Sequence, residues 1–112
     1  MKLPGGGYDL ALSLDVIYHL VEDDIYEKYM GQLFSSSKKY VCIYSCNFEK
    51  KHEQHVRCRK FTEYIEKNKT EWKLINIIPN RYPYDNKNKE NTSWSDFYFY
   101  EKVSERNNQV TM

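Results

Sequence analysis

Two polar residues, Ser13 and Asp15, lie where a short apolar run near the amino terminus ends, with Leu14 between them. A hydroxyl and a carboxylate can hydrogen-bond a polar ligand, and in open α/β sheets ligands bind outside the carboxyl ends of the strands. We therefore expect these three residues to contact a cofactor, although a strand end that only makes a turn has the same pattern. His19, four residues further on, can accept a proton.

A second group of polar residues occurs in residues 47–59, directly after another apolar run. Asn47 and His55 can bind a substrate or remove a proton from it, and Arg57 can orient an anionic group through charge-assisted hydrogen bonds. Because this segment follows the carboxyl end of a neighbouring strand, we expect it to border the same crevice as Asp15. A solvated polar loop is the alternative interpretation.

The same basic segment also allows a nucleic-acid surface, since basic groups beside aromatic rings can hold phosphates and stack bases. Such a surface would use His55, Arg57, Arg59 and Lys60 together with Trp94, Phe97 and Tyr98. The formal net charge is only +1, which gives no electrostatic footprint for nucleic acid. We therefore do not expect this partner.

The three cysteines, Cys42, Cys46 and Cys58, contain no Cys-x-x-Cys pair. Cys42 and Cys46 fall on one face of a predicted strand but too far apart to join easily, so buried thiols are expected. His52 and His55 flank Cys58 only loosely, and no metal site is expected.

Length and composition indicate one small globular domain. The chain has 112 residues, of which 40% are hydrophobic and 29% charged, too apolar for a disordered segment. No apolar stretch approaches the roughly 20 residues that span a bilayer, and the amino terminus lacks a signal-peptide pattern. These features predict a cytoplasmic protein without a membrane partner.

The elements that would position the polar residues follow from periodicity. Residues 8–14 form a nearly unbroken apolar run, typical of a strand buried on both faces of a parallel sheet. Asp23 or Asp24 can cap a helix whose apolar residues, at positions 26, 29, 30, 33 and 34, share one face. Residues 40–46 then form a second buried strand, so a βαβ crossover is expected.

The remaining chain predicts one more helix and two more strands. Residues 61–68 fit a short helix, 72–78 a third strand and 96–102 a fourth, with a long polar loop over 79–95. Residues 1–7, which include three consecutive glycines, fit an irregular loop leading into the first strand. Residues 103–112 fit a frayed tail.

The motif formed by Tyr8-Asp9, Leu12-Ser13-Leu14-Asp15-Val16-Ile17 and His19-Leu20 resembles the fourth-strand motif of class I S-adenosylmethionine-dependent methyltransferases. With the elements that follow, residues 8–102 resemble the carboxyl-terminal half of that family's domain. The resemblance implies an α/β fold that is a partial Rossmann-like methyltransferase fold. It further implies an open, mostly parallel four-stranded sheet in the order 1-2-4-3, with the last strand antiparallel and two helices.

The resemblance also implies where ligands would bind. S-adenosylmethionine would contact Ser13, Leu14 and Asp15, and a small-molecule or biosynthetic acceptor would face Asn47, His55 and Arg57 in residues 47–59. One local departure is Tyr18, where many relatives have a second acidic residue.

The larger departure is an absence, because the family's glycine-rich loop and the acidic residue ending its second strand have no counterpart here. We therefore expect this chain alone to be inactive, and methyl transfer to need the full-length or reassembled enzyme. The strand over residues 8–14 would then lack a neighbour, which exposes its backbone groups to an amino-terminal half or to a second copy. A noncatalytic half-domain that acts as a protein interaction module is the alternative.

Overall fold

The structure is a computed structural model that describes residues 8–53, 56–88 and 92–103. Its elements, in chain order, are β1 (Tyr8–Leu14), a 3-10 turn (Ile17–His19), α1 (Asp23–Ser35), β2 (Ser37–Ser45), β3 (Lys50–Glu53), β4 (Val56–Cys58), α2 (Phe61–Asn68), β5 (Trp72–Ile78) and β6 (Asp96–Lys102). The predicted leading loop over residues 1–7 and the predicted tail beyond Val103 lie outside the described residues.

The main sheet has four strands in the order β1-β2-β6-β5, so the last of its strands lies between the second and the third, as predicted. The expected α/β class, four strands and two helices are confirmed. The last strand is antiparallel, as expected, but the expectation of a mostly parallel sheet is wrong, because two of the three strand pairs are antiparallel. β1 and β2 are parallel, but β6 is antiparallel to both β2 and β5, which makes the sheet mixed. The physical reason is that the described part of the loop from β5 to β6 contains no crossover helix, so β6 runs back along β5.

Helix α1 forms because its apolar residues recur at helical spacing. Tyr26, Met30, Leu33 and Phe34 are all buried and share one face, as their positions predict. The predicted cap is wrong, since Glu22 occupies the N-cap position and no side chain caps the helix. Asp23 and Asp24 lie instead in the first turn, where negative charge is still favourable to the helix dipole.

Both helices pack on one face of the sheet, which we call the covered face. Side chains alternate along a strand, so Val41 and Ile43 of β2 point to this face, and both are fully buried. Phe34 of α1 contacts the ring of Trp72 at 5.1 Å between centroids. Phe61 of α2 contacts Tyr98 of β6 at 4.8 Å. The hydrophobic core therefore lies between the helices and this face.

The opposite face, which we call the bare face, has no helix on it among the described residues. It is formed by Leu10, Leu12, Leu14, Tyr40, Cys42, Tyr44, Phe97 and Phe99, which the strand register aligns. The three β1 leucines are 47%, 55% and 49% exposed. The prediction that β1 is buried on both faces is therefore wrong, because α1 and α2 lie on the same side of the sheet.

β1 also lies at an edge of the sheet, with β2 as its neighbour in the described structure. This is the unpaired edge that the sequence predicted. The edge and the bare face adjoin each other along β1.

Candidate functional site

The three residues predicted to contact the cofactor, Ser13, Leu14 and Asp15, lie at the carboxyl end of β1, and we call them the cofactor wall. They differ in accessibility. Ser13 is buried, and its Oγ accepts a hydrogen bond of 2.9 Å from the Tyr29 hydroxyl on α1. Its side chain therefore joins β1 to the helix and does not face a crevice. Leu14 and Asp15 are exposed and remain available to a ligand.

Asp15 is held in an unusual backbone conformation. Its φ is 60°, in the left-handed region that few residues other than glycine adopt, and its N–H donates to the carbonyl of Tyr44 at 3.0 Å. The Tyr18 hydroxyl donates to Asp15 Oδ1 at 2.8 Å. Burial, then this hydrogen bond, raises the pKa of Tyr18 well above its usual value, so the hydroxyl keeps its proton. His19 is exposed, with its ring 4.5 Å from that of Tyr18.

Residues 47–59 do not form the expected loop, because β3 and β4 pair antiparallel within them as a hairpin. A disulfide between Cys46 and Cys58 joins the carboxyl end of β2 to the end of β4, with Cα atoms 5.8 Å apart. The expectation of three buried thiols is therefore wrong for this pair, and Cys42 alone is a buried free thiol. Disulfides persist mainly in oxidising compartments, so this bond does not support the predicted cytoplasmic location.

Asn47, predicted to face a substrate, contacts helix α2 instead. Its Nδ2 donates to Thr62 Oγ1 at 3.0 Å, and its Oδ1 accepts from the Thr62 N–H at 3.2 Å. These bonds satisfy one of the unpaired N–H groups in the first turn of α2. Asn47 therefore anchors the start of this helix.

Arg57, the second predicted substrate-facing residue, forms an ion pair with Asp23 at 2.8 Å and lies 3.9 Å from Glu49. Both partners are within the protein, so the guanidinium is held between two carboxylates. His55, the third residue of the predicted set, lies outside the described residues. Among the predicted residues the structure thus brings together Leu14 and Asp15, and it gives Asn47 and Arg57 intramolecular partners.

The sequence pointed to Arg59 only as part of the alternative nucleic-acid surface, but in the structure it has a different role. It is buried, and its guanidinium donates to the carbonyls of Leu20 at 2.5 Å and Val21 at 2.7 Å and to Asp23 at 2.9 Å. It also lies over the ring of Tyr26 at 4.2 Å. The hydrogen bond from Arg59, followed by the charge of Arg57, lowers the pKa of Asp23. Arg59 therefore fixes the hairpin to the chain that follows the 3-10 turn.

A cavity of about 240 Å³ lies beside the disulfide at the same end of the sheet. Its lining comes from the 3-10 turn, the end of β2, the hairpin and the loop between β5 and β6. The lining residues are Tyr18, Cys46, Val56, Cys58, Tyr84, Thr92, Ser93, Trp94 and Ser95. This cavity occupies the position at which open α/β sheets bind ligands.

The structure separates the residues of the alternative nucleic-acid surface. Arg59 is buried with internal partners, and Tyr98 is buried on the covered face. These two residues are therefore not available to phosphates or bases. Across the described ranges, no group of three or more His, Cys, Asp or Glu residues could hold a metal ion.

Within the described part of the chain, no helix is long and apolar enough to cross a membrane. The sequence matches no protein-family model and has no significant match among curated proteins or solved structures.

Proposed function

We propose that this chain is the carboxyl-terminal half of a Rossmann-like domain that transfers methyl groups from S-adenosylmethionine once the other half is present. The observation that carries the proposal is the strand arrangement. A parallel β1–β2 pair is connected through α1, and β6 lies antiparallel between β2 and β5. This is the order that the resemblance of residues 8–102 to class I methyltransferases implies.

The residues at the end of β1 are compatible with one wall of a cofactor site. Leu14 offers an exposed apolar side chain and Asp15 an exposed carboxylate, while Ser13 can take part only through its backbone. When bound, S-adenosylmethionine supplies an electrophilic methyl group whose bond to sulfur breaks as a bond to the acceptor forms. The part of the chain in this wall would position that reaction, and positioning supplies much of its acceleration.

The edge of β1 and the bare face support the half-domain part of the proposal. Sheets with parallel strands in α/β proteins are normally covered on both faces, and an unpaired edge readily pairs with another strand. A segment that pairs with β1 and packs a helix on Leu10, Leu12 and Leu14 would bury both surfaces. The missing glycine-rich loop would belong to that segment.

Amide chemical shifts of the ¹⁵N-labelled chain, titrated with S-adenosylhomocysteine to millimolar concentration, would test the proposal. We expect weak binding with shifts centred on Leu14 and Asp15, because one wall of a site holds little of the ligand. Asp15→Lys should remove these shifts, and Asp85→Lys, in the loop between β5 and β6, is the matched control. Absence of shifts near Asp15 would contradict the cofactor assignment. Micromolar affinity by calorimetry would contradict the half-domain assignment.

A second candidate function, a noncatalytic interaction module, is favoured by the bare face. Exposed apolar patches of this kind mark protein interaction sites. Light scattering distinguishes the candidates when Leu12→Lys, on the bare face, is compared with Ile25→Lys, a similarly exposed position on α1. An interaction module would associate through the bare face, lose association only in Leu12→Lys, and never respond to S-adenosylhomocysteine.

A further inference from the structure

The cavity beside the disulfide has a wall built mainly from aromatic rings. Trp94 and Tyr84 pack against each other with ring centroids 4.5 Å apart, and Phe48 supports Trp94 at 5.6 Å. Tyr18 lines the cavity from the 3-10 turn. These contacts hold the rings of Trp94 and Tyr84 together as one surface.

The other lining groups are uncharged. Val56 and the two sulfurs of the disulfide are apolar, and Thr92, Ser93 and Ser95 carry hydroxyl groups. The Ser93 hydroxyl accepts a bond of 3.0 Å from the Ser95 N–H, and a hydroxyl that accepts one bond can still donate its own proton. The described lining contains no acidic side chain, no basic side chain and no histidine. Such a surface favours a neutral ligand with a hydrogen-bond acceptor.

The size of the cavity suits one ring. A buried apolar cavity of about 150 Å³ binds benzene, and the cavity beside the disulfide is larger, at about 240 Å³. A cation is disfavoured, although aromatic rings can bind one. The ammonium of Lys50 already lies 5.7 Å from the centroid of the Trp94 ring and would repel a second positive charge.

We propose that this cavity binds a neutral aromatic ring, and that this ring is the part of the methyl acceptor that the chain recognises. The acceptor role rests on the proposed function. The hydrogen bond from Tyr18 to Asp15 connects the cavity lining with the predicted cofactor wall, so a ring held here lies next to that wall. The ring would stack on the surface formed by Trp94 and Tyr84 and accept a hydrogen bond from Ser93.

Tryptophan fluorescence of a Trp72→Phe variant tests the proposal, because Trp94 is then the only indole. Trp72 is buried on the covered face, whereas Trp94 is partly exposed in the cavity wall. The probes are 4-methylphenol, cyclohexanol as a saturated ring of similar size, and choline as a cation. We expect saturable quenching by 4-methylphenol with a Kd of roughly millimolar, as suits a ligand this small, and no saturation with the other two.

A matched pair of tyrosine variants locates the site. Tyr84→Leu removes one ring of the wall and should weaken 4-methylphenol binding about fivefold to tenfold. Tyr82→Leu, in the same loop but outside the cavity lining, should leave the affinity unchanged. Circular dichroism confirms that both variants are folded, and Tyr84→Phe, which keeps the ring, should bind like the parent.

Three results would overturn the proposal: equal binding of cyclohexanol, binding of choline alone, or equal loss in the two leucine variants. Failure of the proposed function can be distinguished from failure of the ring site. Binding of S-adenosylhomocysteine is followed by the amide chemical shifts of Leu14 and Asp15, whereas ring binding is followed by Trp94 fluorescence. Ring binding without that response would retain the ring site and refute its role in methyl transfer. The reverse pattern would refute the ring site alone.

Discussion

On the covered face Ile43 is fully buried, whereas Leu12, on the adjacent strand and the opposite face, is 55% exposed. Both side chains are branched, aliphatic and of the same size, and both belong to strands that the sequence marks as strongly apolar. The difference arises from the positions of α1 and α2, which cover one side of a four-stranded sheet. The apolar character of a strand therefore does not show which of its faces is covered.

The two faces also differ in whether a second layer of the chain packs on them. The covered face is packed against α1 and α2 of the same chain. At the carboxyl ends of β1 and β2, Arg59 and the disulfide hold the hairpin in place. The bare face presents side chains typical of sheets that are buried on both sides. This asymmetry is the physical basis for the proposal that the molecule is half of a larger domain.

The largest expected difference is between alanine substitutions on the two faces. Ile43→Ala should lower the free energy of unfolding by about 3 to 4 kcal/mol, because it removes buried atoms and leaves a cavity. Leu12→Ala should cost less than about 1 kcal/mol, because half of its side chain is already in water. Urea denaturation measures both. Equal losses would mean that the bare face is covered in solution.

Replacing Arg59 should be nearly as damaging. Arg59→Met leaves the carbonyls of Leu20 and Val21 without their donor, for an expected loss of about 3 kcal/mol. Arg57→Met is the control. Arg57 is partly exposed, and its ion pair with Asp23 should contribute less than about 1 kcal/mol. Thermal or urea unfolding gives both values, and a smaller effect for Arg59→Met than for Arg57→Met would contradict the anchoring role.

Removing the disulfide should cost about 2 to 3 kcal/mol, the loop-closure value for a bridge that spans 12 positions. The variant is Cys46→Ser with Cys58→Ser, and Cys42→Ser, on the bare face, is the control with an intact bridge. Urea denaturation of both variants compares the stability that the disulfide contributes with the stability that Cys42 contributes on the bare face. Alkylation followed by mass spectrometry should label one of the three cysteines before reduction and all three after it.

The smallest effect concerns the exposed carboxylate of Asp23. Its pKa is lowered in the folded state by the hydrogen bond from Arg59 and the charge of Arg57, so its contribution to stability is complete above the unfolded pKa of about 4. That contribution is lost as the pH falls through the lowered folded value. The stability difference between the parent and Asp23→Asn should thus shrink in acid. A difference that grows as the pH falls below about 4 would mean that folding raises the pKa of Asp23, and it would contradict the pairing with Arg59 and Arg57.

Much of the fold could be predicted from local patterns. The limits of α2, β5 and β6, the buried side of α1 and the order of the sheet follow from helical spacing, β-forming runs and the resemblance of residues 8–20 to a known motif. These signals lie within short windows of sequence. The bare face could not be predicted, because residues 8–14 are apolar at nearly every position and period-two alternation is invisible.

The hairpin and its connections were missed for a related reason. The Lys50–Glu53 and Val56–Cys58 strands are short and polar, so they lack the apolar alternation that marks a strand. The Cys46 to Cys58 pairing depends on how that hairpin folds back on β2, which sequence spacing does not fix. Arg59 carried no signal of its own, since its buried partners are backbone carbonyls with no side-chain signature.

The position of β6 between β2 and β5 has a consequence for synthesis on the ribosome. β5 has β6 as its neighbour in the sheet and cannot pair until residues 96–102 have been made. At about 5 to 20 residues per second, the loop over residues 79–95 alone delays that strand by roughly one to three seconds. During this interval the β1–α1–β2 unit can form, while β2 offers an open edge to other nascent chains. We therefore expect the speed of translation across this loop to affect how much chain reaches the native sheet.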